Sequence, residues 1–305
     1  MFKISAKLVQ ATNGGVRTLQ RGLQTYARYA YYSLNDRKGQ QDGSMSQKPY
    51  QPRYSLEYDR PEDFVKSQWF KNQNDSINYA IYRTLVALYF VFIVLYSALV
   101  GTLKMKMFIM LTYWSLYALT ACQILRAVNV WHFIALKKEK KEKPELQMTQ
   151  RLKLQWTLYN ISVVTAPIVA TMYWSIAYDG SGYNFININT HGINAVFILI
   201  DTFITRTPVR LLHVYQSTLF GLSYIAFTVV YWSLGGTNQH GQPFIYTVLD
   251  YGESPRKALI YIMTIAFIVC PLIHSSVFFM YRFRVFLHRY LTTIDKREAL
   301  AHIHK

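Results

Sequence analysis

The residues best suited to chemistry lie in one strongly apolar stretch, residues 191–206, which contains His191, Asn194 and Asp201. On an α-helix these three side chains and two threonines fall within an arc of roughly 100°. Ionisable groups are costly in contact with lipid, so this stripe is expected to face other helices or a wet cavity. An imidazole placed there is a candidate general base, which needs a nucleophile beside it.

Thr112 is the candidate nucleophile, because it heads a second polar stripe in the apolar stretch 107–125. It lies roughly 8 Å into its helix at 1.5 Å per residue, so it can share a layer with His191. A threonine hydroxyl attacks well only when a base takes its proton, and a nearby imidazole can do so. Asn194 or a backbone N–H could hold the oxyanion, and Asp201 could orient the histidine or line the cavity. Alternatively, the stripes only hold helices together.

The elements that must position these residues are membrane helices. Of the 305 residues, 51% are hydrophobic and 16% aromatic. The pattern predicts one all-α polytopic bundle of six transmembrane helices. The predicted spans are 82–103, 107–125, 154–177, 191–206, 214–234 and 258–280. The expected domains are a basic amphipathic N-terminal arm (1–35), a polar linker (36–65), the six-span membrane domain (66–285) and a basic C-terminal tail (286–305).

Charge indicates how the chain lies in the membrane. The formal net charge is +17, and Lys and Arg flank the spans mainly on the side of both termini. The positive-inside rule therefore predicts that both termini face the cytosol or the matrix. Arg126 is expected to mark the inner end of span two, where it can snorkel to headgroups. Membrane lipids and other membrane subunits are the expected partners. No nucleic acid is expected, because glutamates interrupt the basic run 137–143.

The N-terminal arm bears on localisation. Residues 1–35 contain no Asp or Glu, and Arg17, Arg21 and Arg28 recur at helical spacing. This pattern is typical of a mitochondrial presequence, and it also fits a basic helix lying on an anionic membrane surface. The mitochondrial inner membrane is therefore one predicted location, and an endomembrane or the plasma membrane is the alternative.

Other chemistries find little support in the sequence. Cys122 and Cys270 both lie in apolar spans and form no CxxC pair, so neither a disulfide framework nor a metal site is predicted. A haem between membrane helices needs histidines at two depths, and only His191 lies toward the outer side. No GxGxxG or P-loop motif is present, so no nucleotide site is indicated. No cofactor is expected. The other membrane-associated histidines lie toward the inner side: His132, His213 and His274.

An ordered set of short motifs, spread over residues 66–285, carries a family resemblance. The set consists of L-T-Y-W (111–114), H-G-x-N (191–194), Asp201, R-x-x-H (210–213), F-T-x-x-Y-W (227–232) and I-Y-x-x-L-D (245–250). It resembles the rolling stone family and, more distantly, the androgen-induced membrane hydrolases. In those hydrolases an intramembrane Thr and His split fatty-acid esters of hydroxy fatty acids, and the matching positions here are Thr112 and His191. Rolling stone proteins are associated with cell fusion.

The chain departs from the family pattern in two loops. Thr247 stands where the family usually has Pro, and Val214 follows His213 where Tyr-Pro is common. Both changes free a backbone φ angle that Pro would fix. Two functions therefore stay open. One is an intramembrane lipid-ester hydrolase that uses Thr112 and His191, and the other is a non-catalytic lipid-binding accessory subunit of a membrane complex, such as a respiratory assembly of the mitochondrial inner membrane.

Overall fold

The computed structural model describes residues 54–70, 75–139, 146–178, 180 and 184–303. The predicted N-terminal arm, the linker as far as residue 53 and residues 140–143 of the charged run lie outside the described residues. The presequence interpretation therefore stays a prediction.

The described residues form six successive helical segments. They are α1 (Asp75–Val100), α2 (Leu111–Glu139), α3 (Gln150–Met172), α4 (Phe185–Ile188, Asn189–Ile193 and Asn194–Ile204), α5 (Val214–Ser233) and α6 (Pro255–Thr264, Ile265–Val269 and Cys270–Ile303). Wider π-helical turns occur within α4 and α6 at Asn189–Ile193 and Ile265–Val269, and a third, Tyr173–Ala177, extends α3. The described part of the chain has no named strand and one isolated bridge, between Ser67 and Thr205. The predicted all-α class is confirmed.

Membrane character follows from length, composition and exposure. Among the described residues, three helices are long and apolar enough to cross a membrane: Ser76–Val100, Leu111–Glu139 and Pro255–Ile294. Apolar side chains spaced three or four residues apart cover one exposed face of α1, which suits contact with lipid. The six-span layout stays a prediction for the other helices. The exposed residues of that face are Leu85, Leu88, Phe92, Leu95 and Leu99.

Helix α3 lies at the centre of the bundle and packs against α2, α4, α5 and α6. Trp156, Tyr159 and Val163 on this helix are fully buried. Gln155 and Asn160 are buried with them, because α3 faces other helices on most sides and can satisfy polar groups there. This burial of polar side chains explains why α3 is less apolar than a helix that faces lipid.

The bundle has two chemically different ends. Residues 54–70 form a segment that we call the strap, which lies across the beginnings of α3 and α5 and the end of α4. We call this the strap end. At the other end, which we call the loop end, lie the connections 101–110 and 234–254. Successive helices run in opposite directions between the two ends.

The strap differs from the extended linker predicted for residues 36–65. Pro61–Val65 forms a 3₁₀ turn, and Phe64 and Val65 are buried in the core. Phe64 packs edge-on against Trp156, with ring centroids 5.1 Å apart. Polar residues dominate the composition of this stretch, but two apolar side chains and backbone hydrogen bonds are enough to dock it.

Candidate functional site

His191 lies in the π-helical turn Asn189–Ile193 of α4. Its ring stacks flat on Tyr173 of the neighbouring π-turn, with centroids 3.5 Å apart and planes 3° apart. The Trp174 indole N–H donates to the His191 carbonyl at 3.3 Å. Nδ1 of His191 is buried and forms no hydrogen bond with any described residue. The imidazole is therefore held by its ring face and keeps one ring nitrogen unused.

Thr112 lies at the first turn of α2, where its side chain is close to the Tyr246 hydroxyl. The same Tyr246 oxygen accepts the backbone N–H of Leu111 at 3.0 Å. Beside it, the Tyr224 hydroxyl donates to the carbonyl of Ile109 at 2.8 Å. Tyr246 thus satisfies a backbone N–H that the N-terminus of α2 otherwise leaves unpaired, and Tyr224 binds a carbonyl just before the helix.

The turn that carries His191 packs against α2 and α3, so the two predicted catalytic residues belong to neighbouring elements at the loop end. No hydrogen bond joins the Thr112 hydroxyl to the His191 ring in the described part of the chain. Asn194 is fully buried, and its side-chain amide donates to the Thr190 carbonyl at 2.6 Å. The Asn194 side chain therefore bonds to the backbone of its own helix.

Asp201 has different partners from those considered in the sequence. It is fully buried near the end of α4, where Oδ1 accepts from Arg83 at 2.6 Å and Oδ2 accepts from Arg126. The Tyr82 hydroxyl adds a third contact at 3.3 Å. This ion cluster joins α1, α2 and α4 through one carboxylate. The expectation that Arg126 reaches the headgroups is wrong, because Arg126 is 1% exposed and α2 continues to Glu139.

A third buried arginine adjoins the cluster. Arg284 of α6 donates to the carbonyls of Thr202 at 2.5 Å and Thr207 at 3.0 Å. These carbonyls lie at and beyond the last turn of α4, where the helix dipole is negative and cations are favoured. Tyrosine rings cover the guanidinium groups and replace part of their hydration. The centroid distances are 4.6 Å for Arg83 over Tyr79, 4.5 Å for Arg126 over Tyr159 and 5.1 Å for Arg284 over Tyr281.

Arg83 and Arg284 were missed in the sequence because each stands at the edge of an apolar span, where a cation is expected to reach the headgroups. The buried Asp201 was the informative residue, since a carboxylate inside a membrane helix needs a cationic partner. The sequence shows that Asp201 needs a cationic partner, but it does not show which arginine is that partner.

A partly open cleft of about 100 Å³ lies between α3, α5, α6 and the 246–249 segment. No charged residue and no histidine lines it, and Tyr224 and Tyr246 place their rings at the end near α2. Cys270 and Gly221 line it from α6 and α5. The remaining lining consists of Leu111, Val164, Thr165, Ile168, Met172, Ser217, Thr218, Leu222, Ile225, Val248, Leu249, Tyr261, Ile262, Ile265 and Ala266.

The strap end holds a buried histidine that is neutral. His213 donates from Nε2 to the Ser55 carbonyl at 3.1 Å, and Nδ1 accepts from the Asn160 amide at 3.1 Å. Burial lowers the pKa of His213 to about 4, and the neighbouring Arg210 adds to the shift. Arg210 itself donates to the carbonyls of Ser55 and Glu57 at 2.6 and 2.8 Å. The strap is therefore fastened by one neutral and one charged side chain.

Among the described residues, no three His, Cys, Asp or Glu side chains converge as metal ligands would.

Comparison with known proteins identifies the family. The model of the family described as "Protein rolling stone" matches residues 43–303. Protein rolling stone of Drosophila melanogaster is 30% identical over 228 residues, which are 71% of this chain and 82% of the fly protein. No solved structure matches the chain.

Proposed function

The chain belongs to the rolling stone family, and we propose that it binds the acyl chain of a membrane lipid inside its helix bundle. The observation that carries this proposal is the cleft between α3, α5 and α6, whose lining has no charge and little exposed polar surface. Such a site favours hydrocarbon, because a charged group would lose its hydration there without gaining a partner. Hydrophobic lining with few polar groups is the usual composition of ligand pockets.

The volume of the cleft limits how much of a lipid it holds. An engineered apolar cavity of about 150 Å³ binds benzene, so a cleft of about 100 Å³ takes roughly four or five carbon atoms. That is the end of an acyl chain rather than a whole lipid. The rest of the ligand then extends between the helices, and lipid reaches the cleft from the side.

The Cys270 thiol provides a direct test, because it lines the cleft. In a Cys122→Ala background Cys270 is the single remaining thiol, since Cys122 and Cys270 are the two cysteines of the chain. We expect a membrane lipid with a long acyl chain to slow its reaction with N-ethylmaleimide several-fold in detergent. The control is Leu272→Cys in a Cys122→Ala/Cys270→Ala chain, because Leu272 is 62% exposed on the same helix. Equal protection of both thiols would refute a site in the cleft.

Filling the cleft with a larger side chain is a second test of the same proposal, measured on the same thiol. A Cβ added at Gly221 meets nothing within 4 Å, so Gly221→Leu can occupy the cleft without displacing backbone. We expect this variant to fold and to lose acyl protection of Cys270. Gly221→Ala adds little volume and should keep the protection. If Gly221→Leu folds and binds as the wild type does, the acyl chain lies elsewhere.

Hydrolysis of a lipid ester is the second candidate, and the buried, unused Nδ1 of His191 favours it. In this reaction the Thr112 hydroxyl attacks the ester carbonyl carbon while the His191 ring takes its proton. The imidazolium then protonates the departing alcohol, and water activated by the same ring frees the acid from the acyl-threonine. In this second proposal, Asn194 and Asp201 support the site by holding α4 in shape. Lipid binding without hydrolysis would instead fit a non-catalytic accessory subunit of a membrane complex.

A fluorophosphonate probe on purified protein separates these two candidates. Labelling of the wild type that is lost in both Thr112→Ala and His191→Ala would support hydrolysis and identify the nucleophile. Thr120→Ala is the matched control, because Thr120 is a buried threonine further along the same helix and its hydroxyl donates to the Leu116 carbonyl. The absence of labelling between about pH 6 and 9, across the titration of an imidazole, would leave binding without hydrolysis.

A further inference from the structure

The buried ion cluster of the bundle carries more positive than negative charge. Arg83 and Arg126 share the single carboxylate of Asp201, and all three side chains are fully buried. Arg284 adds a further charge nearby, which two carbonyls at and beyond the end of α4 offset in part. Arginine keeps its proton in proteins, so the cluster cannot lose its charge by deprotonation. Because an unbalanced ion in a protein interior is costly, the excess charge needs an anion.

Buried donor atoms of the same cluster lack acceptors. Among the described residues, Nε of Arg83 forms no hydrogen bond, nor do Nε and Nη2 of Arg126. Nε2 of Gln123 is also without a partner, and this side chain is fully buried on α2. Buried N–H groups are normally paired, so four unpaired donors in one cluster indicate an acceptor from outside the protein. An anion suits this set better than water, since it needs no acceptor of its own.

The unpaired donors belong to side chains that are neighbours. Gln123 and Arg126 stand three residues apart on α2 and therefore share one face of the helix. Oε1 of Gln123 lies 3.5 Å from Nη1 of Arg83. The same Arg83 nitrogen donates to Asp201 at 2.6 Å, and Asp201 also binds Arg126. One carboxylate and one amide thus connect both guanidinium groups.

The burial and the net charge define the anion. These side chains have almost no exposed surface, so a phosphate attached to a lipid cannot reach them, whereas a single small ion can. The two arginines that share Asp201 leave one positive charge, which a monovalent anion balances. We propose that Arg83, Gln123 and Arg126 bind one monovalent inorganic anion with the chemistry of chloride, between α1, α2 and α4.

The dependence of folding on chloride tests this site. The full-length protein would be unfolded reversibly in mixed micelles at constant ionic strength, while chloride replaces the much larger gluconate ion. A ligand that binds only the folded state favours it in proportion to the ligand concentration above the dissociation constant. Tenfold more chloride should therefore favour the folded form by up to about tenfold. Sulfate, which is divalent and larger, should have a much smaller effect.

A substitution that supplies the negative charge from the protein provides the matched variant. Gln123→Glu places a carboxylate of the same size beside Arg83, so it should fold and lose the response to chloride. The control is Gln239→Glu, which adds the same charge at an exposed position of the loop end and should keep the full response.

Three results would overturn the proposal. Unfolding of the wild type that does not change with chloride would mean that water alone meets the donors. An equal response to sulfate would show a general effect of salt. A response of Gln123→Glu equal to that of the wild type would place the anion elsewhere. The wild-type measurement decides the first two points even if Gln123→Glu does not fold.

Discussion

The strap end and the loop end of the same bundle are built from different interactions. At the strap end, Asp201 holds Arg83 and Arg126 in the buried interior, and hydrogen bonds fasten residues 54–70 across the helices. At the loop end, hydroxyl groups such as Tyr246 and Tyr224 satisfy backbone groups beside an apolar cleft. A buried ion pair tolerates little movement, because an ion that separates from its partner keeps its full desolvation cost. The strap end therefore fixes the architecture, whereas the cleft proposed to bind lipid adjoins the loop end, where no buried ion pair is found among the described residues.

The largest contrast is expected from Asp201→Asn, which leaves two buried arginines without a counter-charge. Breaking a buried pair in this way costs about 3–5 kcal/mol. The matched control at the loop end is Asp250→Asn, because Asp250 caps the exposed N–H groups of Gly252 and Glu253. That change should cost no more than about 1 kcal/mol. Reversible unfolding in mixed micelles measures both, and similar losses would refute the division between the two ends.

Replacing all three charges tests whether the cluster stabilises the fold or only specifies it. In Arg83→Met/Arg126→Met/Asp201→Leu no charge is stranded, so the loss should be much smaller than in Asp201→Asn. Buried ion clusters replaced by apolar groups of similar volume are often neutral or stabilising. A loss equal to that of Asp201→Asn would mean that the ions themselves stabilise the bundle.

The next largest effect concerns pH at the strap end. The pKa of His213 is lowered to about 4 in the folded protein, against about 6.5 in the unfolded chain. The unfolded chain therefore binds a proton first, and stability is lost as pH falls from about 6.5 towards 4, by about 3 kcal/mol in all. Unfolding measured between pH 7 and 4 should show this slope, and His213→Gln should make it shallower by the His213 contribution. Asp63 acts in the opposite sense, since burial raises its pKa, so Asp63→Asn should steepen the slope.

A smaller loss is expected from Tyr246→Phe at the loop end. The change removes the acceptor for the Leu111 N–H at 3.0 Å and keeps the ring that lines the cleft. One lost hydrogen bond with a backbone group left unpaired costs about 1–3 kcal/mol. Hydrogen exchange should quicken at the start of α2 and stay unchanged at the strap. Tyr231→Phe is the control, because the Tyr231 hydroxyl donates to the Thr237 carbonyl at 2.9 Å in the connection 234–254. Faster exchange at the strap in Tyr246→Phe would show that the two ends are coupled.

The smallest effect is a gain. Gly221→Ala in α5 should stabilise the protein by up to about 1 kcal/mol, because alanine restricts the unfolded chain and the added Cβ meets open space. Thermal unfolding with and without lipid would measure it. A loss of stability would mean that the cleft closes on Gly221 in solution.

Particular residues show where prediction from the sequence ended. The helical class, the apolar faces and the family motifs could be predicted, because hydrophobic periodicity and short motifs are local. Thr112 and His191 were expected to share one layer; the elements that carry them pack together, and the pairing of the two side chains stays a prediction. The contacts of Asp201 could not be predicted, since its arginines lie 118 and 75 residues away in the chain. The docking of Phe64 could not be predicted either, because the stretch around it is mostly polar.

The sequence alone determined that this chain is a helical membrane protein of the rolling stone family, that its polar stripes face inward and that its charge is strongly positive. Those properties follow from composition, from the period of the helix and from the cost of exposing polar groups to lipid. Only the tertiary structure decided that Asp201 binds Arg83 and Arg126, that the strap fastens one end and that an uncharged cleft lies at the other. Each of these depends on which distant side chains meet when helices pack, and no local pattern encodes that choice.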